Sequence, residues 1–209
     1  MGWPMSDVLH LVDVAALGDL GRFAGRARSL DEQGAMRLQA SGDVLAAWVG
    51  VLPGSGILSE GAVLGLRTFA LAEPATCDAV VPLGAVTDRT SRPGRDATFP
   101  LPPTRALAAW SAVTPPRSGW EPAGELPADT LAEAARSGLV EVGAAVRERG
   151  AAAGFVRDRV WGRDVEGVRA GGAFAAFSLG FLAPGSSVLV LRANRWTRLS
   201  CAGGHVLMR

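Results

Sequence analysis

The side chains that most often carry enzymatic chemistry are scarce in this sequence. Two imidazoles, His10 and His205, and two thiols, Cys77 and Cys201, are spread over 209 residues that include no Lys and no Tyr. The absence of Lys excludes a Walker-A phosphate loop, a pyridoxal Schiff base and a protein-kinase active site. Composition therefore removes several classes of enzyme before any motif is considered.

Neither a catalytic triad nor a metal site is predicted. Ser55 lies outside the Gly-x-Ser-x-Gly spacing of a nucleophile elbow and is interpreted as a turn residue. Zinc takes about four N or S ligands, and only Cys201 and His205 are near each other, where a Gly-Gly turn could bring both to one hairpin edge. We expect no metal, no cofactor and no catalytic residue, with one alternative: an enzyme whose carboxylates meet only in the fold.

Charge is unevenly distributed although the total is only +1. Residues 1–104 hold 8 Arg and 11 acidic side chains, a net charge of −3, while residues 105–209 hold 13 Arg and 9 acidic side chains, a net charge of +4. The last acidic residue is Glu166, and five Arg follow it. Any attraction to an anion must therefore be local, and we expect it in the C-terminal half.

A hairpin near the C-terminus is the sharpest candidate binding surface. Its arginines could hold phosphates of an anionic ligand or nucleic acid while an indole stacks a base. Alternatively, the arginines pair with acidic side chains of the N-terminal half or prevent strand pairing at an exposed sheet edge, and the Trp packs inward. We favour this second interpretation. The predicted binding residues are Arg192, Arg195, Trp196, Arg198 and His205.

Hydrophobic periodicity predicts the elements of the N-terminal half. Apolar spacings of three and four indicate a helix, and two apolar runs about a turn-forming triplet indicate a hairpin. The predicted elements are a helix at 12–28, a hairpin of strands 35–40 and 44–52 about the turn 41–43, a strand at 63–72 and a short helix at 80–92.

The C-terminal half is predicted to be helical and then β. A helix opens at residue 128, is interrupted at Gly138 and resumes to residue 149. Two further helical pieces follow, the second apolar on all sides and therefore buried. These pieces are at 155–165 and 173–182, and the strands that follow are at 188–192, 196–201 and 205–208.

These patterns predict an α+β fold of two sub-domains, each with helices packed on a small antiparallel sheet. The expected boundaries are 1–98 for the N-terminal sub-domain, 99–127 for a Pro- and Trp-rich connection, and 128–209 for the C-terminal sub-domain. Seven prolines in the connection make regular elements hard to sustain there.

A cytoplasmic location is expected, with no membrane partner. Two distant cysteines provide no disulfide framework, which is typical of a reducing compartment. The uncharged stretch 170–191 is long enough to cross a bilayer, but Pro184 and Gly185 interrupt it, so a buried helix followed by a strand is favoured.

Several fragments together resemble a family of uncharacterised actinobacterial two-part α+β proteins with no known activity. The resemblance covers nearly the whole chain and implies no catalytic residue. The fragments are 13–17 with 19–20, 37–40, 110–120, 160–163 and 179–182.

The sequence favours a non-catalytic binding or assembly protein. Its partner is unknown and could be another protein. The first alternative is a nucleic-acid-associated or regulatory protein that uses the basic C-terminal hairpin. The second is the enzyme with carboxylates assembled in the fold.

Overall fold

Contacts between residues divide the chain into two units in this computed structural model, which describes residues 6–54, 60–91, 96–150 and 154–209. Unit 1 comprises residues 1–50 and 66–113. Unit 2 comprises residues 51–65 and 114–209. The two-part organisation is confirmed, and the boundaries given above stay a prediction.

Helices and antiparallel strands occur in both units, which confirms the α+β class. The elements of unit 1 are β1 Val8–His10, α1 Val14–Leu30, β2 Ala35–Leu52, β3 Val63–Pro82, α2 Leu83–Thr90, β4 Thr98–Pro100 and a 3-10 turn Ala109–Ala112. The last residues of β2 and the first residues of β3 belong to unit 2.

Helix α1 confirms the predicted first helix and owes its position to one buried stripe. Asp13 caps its start, where the carboxylate accepts a hydrogen bond from the Ala16 amide at 2.7 Å. The stripe packs inward and leaves the opposite face to solvent. At Gly21 the helix comes so close to α2 that an added Cβ would lie 2.6 Å from the Thr90 hydroxyl. The buried stripe is Leu17, Leu20, Phe23, Ala24 and Ala27.

The hairpin predicted about residues 41–43 is wrong, because β2 runs through them as one strand. Gly42 has a positive φ of 62°, and the buried positions change from even numbers (Met36, Leu38) to odd numbers (Leu45, Ala47) across it. The neighbouring strand β3 keeps its buried residues at odd positions from 69 to 81. The extra residue is therefore a β-bulge, which uses the same residue types as a turn.

Among the described residues, unit 2 holds six strands, three helices and one end each of β2 and β3. These elements are β5 Glu121–Pro127, α3 Ala128–Arg149, α4 Gly154–Trp161, β6 Asp164–Val165, β7 Val168–Arg169, α5 Ala170–Ser178, β8 Ser187–Ala193, β9 Trp196–Cys201 and β10 Gly204–Met208.

The largest sheet has the strand order β2-β3-β10-β9-β8-β5. Two small sheets are formed by β1 with β4 and by β6 with β7.

The predicted interruption at Gly138 is also wrong, since α3 is continuous from Ala128 to Arg149. Gly138 is the point where α4 approaches α3: an added Cβ would lie 2.4 Å from the ring of Trp161, which is 5% exposed. Glu141 secures the same pair of helices by accepting hydrogen bonds from Arg159 at 3.0 Å and Arg163 at 2.6 and 2.8 Å. The packing of α4 against α3 therefore requires glycine at position 138, where the sequence pattern predicts a break in the helix.

The three terminal strands agree with the prediction to within one residue at each end, but the Pro-rich stretch is more regular than expected. β4 lies at its start and β5 at its end, and β5 pairs antiparallel with β8. Pro122 and Pro127 fit into β5 because it is an outer strand, where a missing N–H costs no ladder bond.

No helix among the described residues is long and apolar enough to cross a membrane.

Gly138→Ala is expected to lower the free energy of unfolding by about 1–3 kcal/mol, because the added methyl group meets a buried indole. The matched change in the same helix is Gly143→Ala, where the new Cβ would meet only the end of the Arg147 side chain at 3.6 Å. This control should raise the free energy of unfolding by up to about 1 kcal/mol, since Ala favours helix over Gly. Urea unfolding followed by circular dichroism measures both, and equal effects would contradict the close contact.

Candidate functional site

Two of the predicted binding residues lie exposed at one end of the β8–β9 hairpin. Arg192 ends its strand close to the turn, and its Nη2 donates a hydrogen bond to the Gly167 carbonyl at 3.1 Å. Arg195 lies in the two-residue turn after Asn194, which adopts a positive φ of 52°. Both guanidinium groups are therefore accessible to an anion.

The indole between these arginines is not accessible. Trp196 is 6% exposed and pairs across the ladder with Ala193. The guanidinium carbon of Arg209 lies 6.0 Å from its ring centroid, within the range of a cation–π contact. Trp196 packs inward, as the favoured interpretation expects, and its ring is not available to stack a base.

Arg198 and His205 come together on the same face of the sheet. Nη2 of Arg198 is 3.2 Å from Nδ1 and 3.1 Å from Nε2 of His205. The two distances are nearly equal, so Nη2 is not directed at one ring nitrogen alone. The guanidinium carbon of Arg198 also lies 6.0 Å from the centroid of the Trp120 ring. Arg198 is thus close to two rings and is less exposed than Arg192.

Burial governs the electrostatics of this pair. It lowers the pKa of Arg198, whose buried Nε has no hydrogen-bond partner among the described residues. Burial, and secondly the charge of Arg198, lower the pKa of His205 to about 4. His205 is therefore neutral near pH 7 and adds no positive charge to an anion site.

The thiols supply neither a nucleophile nor a metal site with this pair. Cys201 pairs with Gly204 and His205 with Ser200, so Cys201 and His205 occupy neighbouring rungs and point to opposite faces of the sheet. Burial raises the pKa of Cys201 to about 12, which keeps its thiol protonated. In the described part of the chain, no cluster of three or more His, Cys, Asp or Glu could hold a metal.

The two outer strands of the largest sheet differ in how they resist pairing with a further strand. β5 is protected by two prolines, by acidic side chains and by a bulge between Pro122 and Gly124. Such features prevent a new strand from adding to an edge. This side of the sheet is therefore closed to strand pairing.

β2 lacks that protection over its second half. From Val44 to Leu52 it contains no charged residue and no proline, and Val44 is 47% exposed. Within the described residues, β2 pairs only with β3, and no other segment forms a backbone hydrogen bond with it. The sequence pattern does not predict this edge, because residues 44–52 have the pattern of one arm of a hairpin.

A second feature that sequence analysis missed is a group of cations on unit 1. Arg22 and Arg26 lie one turn apart on the exposed face of α1, and Arg67 of β3 joins them through Asp19. The spacing of Arg22 and Arg26 was visible in the helical pattern. The contribution of Arg67 was not, because it depends on the packing of β3 beside α1.

Two family models match the chain: a domain of unknown function, DUF8010, over residues 5–111, and a second, DUF8185, over residues 115–209. No match was found among curated proteins. The chain is similar to the crystal structure of the DNA polymerase sliding clamp from Caulobacter crescentus, with a TM-score of 0.52 and 12% identity. The similarity covers 98% of this chain and 65% of the clamp chain, and at this identity it concerns the fold alone. The actinobacterial source stays a prediction.

The stability of the protein is expected to fall below about pH 6.5 because of His205. Its pKa is about 4 in the folded state against 6.5 as the ordinary value, so between these values the unfolded chain binds a proton that the folded chain does not. Between about pH 7 and 5, the free energy of unfolding should fall by about 1 kcal/mol less in His205→Asn than in the wild type. This figure is reduced because water reaches part of the ring. Urea unfolding at both pH values measures it.

The reference is the wild type, measured by the same urea unfolding at both pH values. An unchanged pH dependence in His205→Asn would contradict the neutral, partly buried imidazole.

Proposed function

The chain belongs to the family of the domain of unknown function DUF8010, and we propose that it is a non-catalytic assembly protein that pairs with a second copy of itself through the outer edge of β2. The observation that carries the proposal is the unprotected edge at residues 44–52. An unpaired strand edge offers a row of N–H and C=O groups to another strand.

A second copy suits this edge better than a strand of strong charge. An uncharged strand pairs with its own copy in any antiparallel register without placing like charges opposite each other. The net charge of +1 gives little repulsion between copies. Alternating side chains such as Val44 and Ala46 would then meet their counterparts across the new ladder.

The chemistry of the interior supports binding over catalysis. Thr90 is the one polar side chain in the buried class among the described residues, so that set includes no buried carboxylate for acid–base work. A cleft of about 300 Å³ in unit 2 is lined by the apolar Leu52 and Trp161 and by oppositely charged side chains, among them Arg157 and Asp158. Opposite charges side by side neutralise each other and favour no single class of substrate.

Association with nucleic acid is a second candidate function. Two observations favour it: the exposed Arg192 and Arg195 of the C-terminal hairpin, and the fold shared with a protein described as a DNA polymerase sliding clamp. Arginine forks bind phosphate oxygens in pairs, so the hairpin end could contact the backbone without the indole.

The double substitution Val44→Lys/Ala46→Lys tests the first proposal. The wild type is expected to sediment as a dimer over about 1–100 μM, and the variant as a monomer with a dissociation constant raised at least about tenfold. Lysines on an edge strand oppose pairing because their charges would have to leave water and face each other. Sedimentation velocity with circular dichroism of each sample makes the measurement.

Val140→Lys is the matched control, since Val140 is 72% exposed on α3 of unit 2 and away from any strand edge. It should dimerise as the wild type does. A monomeric wild type over the whole concentration range, or a variant that dimerises unchanged, would overturn assembly through β2.

A further inference from the structure

The exposed face of α1 carries a cluster of guanidinium groups with more positive charge than the carboxylate paired with them neutralises. Asp19 bonds both Arg22 and Arg67. Arg26 lies one turn beyond Arg22, is exposed, and pairs with no carboxylate of the described residues. Two of the three cations thus share one carboxylate, and the third pairs with none among the described residues.

The cations are near enough to act on one another. The pKa of Arg67 is lowered by burial and then by the positive charges of Arg22 and Arg26. Its guanidinium carbon also lies 5.4 Å from the Phe69 ring, which holds the group in place beside the helix. Mutual repulsion of this kind is relieved when an anion binds.

Two glycines on the same face of α1 have no role in packing. An added Cβ at Gly25 would meet no atom within 4 Å, and one at Gly18 would meet only Nη1 of Arg22 at 3.5 Å. Glycine inside a helix costs about 1 kcal/mol relative to Ala. Of the three glycines in α1, Gly21 alone packs closely against a neighbouring side chain. Gly18 and Gly25 instead leave the helix surface beside the arginines without side chains, so a ligand backbone can approach the helix.

We propose that the α1 cation cluster, Arg22, Arg26 and Arg67, binds the phosphodiester backbone of nucleic acid. Arg22 and Arg26 are about 6 Å apart along the helix axis, so their long side chains reach neighbouring phosphates of one strand. This inference rests on the second candidate function, nucleic-acid association, and gives it a site other than the C-terminal hairpin.

The cluster binds phosphates and does not select a base sequence. Glycines and a serine, Ser29, accompany the arginines on this face, and no Asn or Gln is present there to read adenine. Contacts to phosphate fix position on a strand and carry no sequence information. Binding should therefore be independent of sequence and strongly dependent on salt.

Fluorescence anisotropy with a labelled DNA duplex of about 20 base pairs tests the site. Each phosphate contact contributes about −0.9 to the slope of log K against log salt concentration. Arg22→Gln/Arg26→Gln is expected to reduce the steepness of that slope by about 1.8 and to weaken binding at about 50 mM salt at least tenfold. Both side chains are exposed, and circular dichroism verifies that the fold is intact.

Arg192→Gln/Arg195→Gln on the C-terminal hairpin is the matched control, because it removes the same charge from two exposed arginines. Loss of affinity in the α1 variant, whether or not the control also loses some, supports the α1 site. Loss in the control alone overturns the α1 site and leaves nucleic-acid association standing. A wild type that does not bind the duplex at low salt overturns both.

Discussion

Contacts at glycine set how closely the helices of each unit approach their neighbours. α1 meets α2 at Gly21, α3 meets α4 at Gly138, and α5 meets β10 at Gly172, where an added Cβ would lie 2.3 Å from the Met208 sulfur. A methyl group at any of these points would require the neighbour to move. The packing of α1 in turn determines which of its faces is exposed, and so where its arginines lie.

Elements with a clear local period were predictable from the sequence, and elements punctuated by glycine were not. α1 and the terminal strands followed their apolar spacing. Gly42 and Gly138 were both interpreted as breaks, yet one forms a bulge and the other a helix contact. A turn, a bulge and a close contact all require the same small residue, so local sequence does not distinguish them. Tertiary packing decides between them.

The residues of the candidate sites were also only partly predictable from the sequence. The sequence indicated the hairpin that carries Arg192 and Arg195, but not which face of β9 is covered: Trp196 is buried on one face and Leu199 on the other. An alternating pattern predicts exposure only when one face of a strand is open to water. Trp120, which confines Arg198, comes from a distant segment, as does Arg67 beside α1. No spacing rule connects residues so far apart.

The prolines and the bulge of β5 have a consequence for stoichiometry. A chain with two open edges can add copies at both ends and grow into a filament, whereas a chain with one open edge reaches closure when that edge is filled. Because Pro122, Gly124 and Pro127 interrupt one outer strand, the sheet extension that we propose through β2 would end at a pair related by a twofold axis. The irregular strand, which contributes little to the core, would thus limit the size of the assembly.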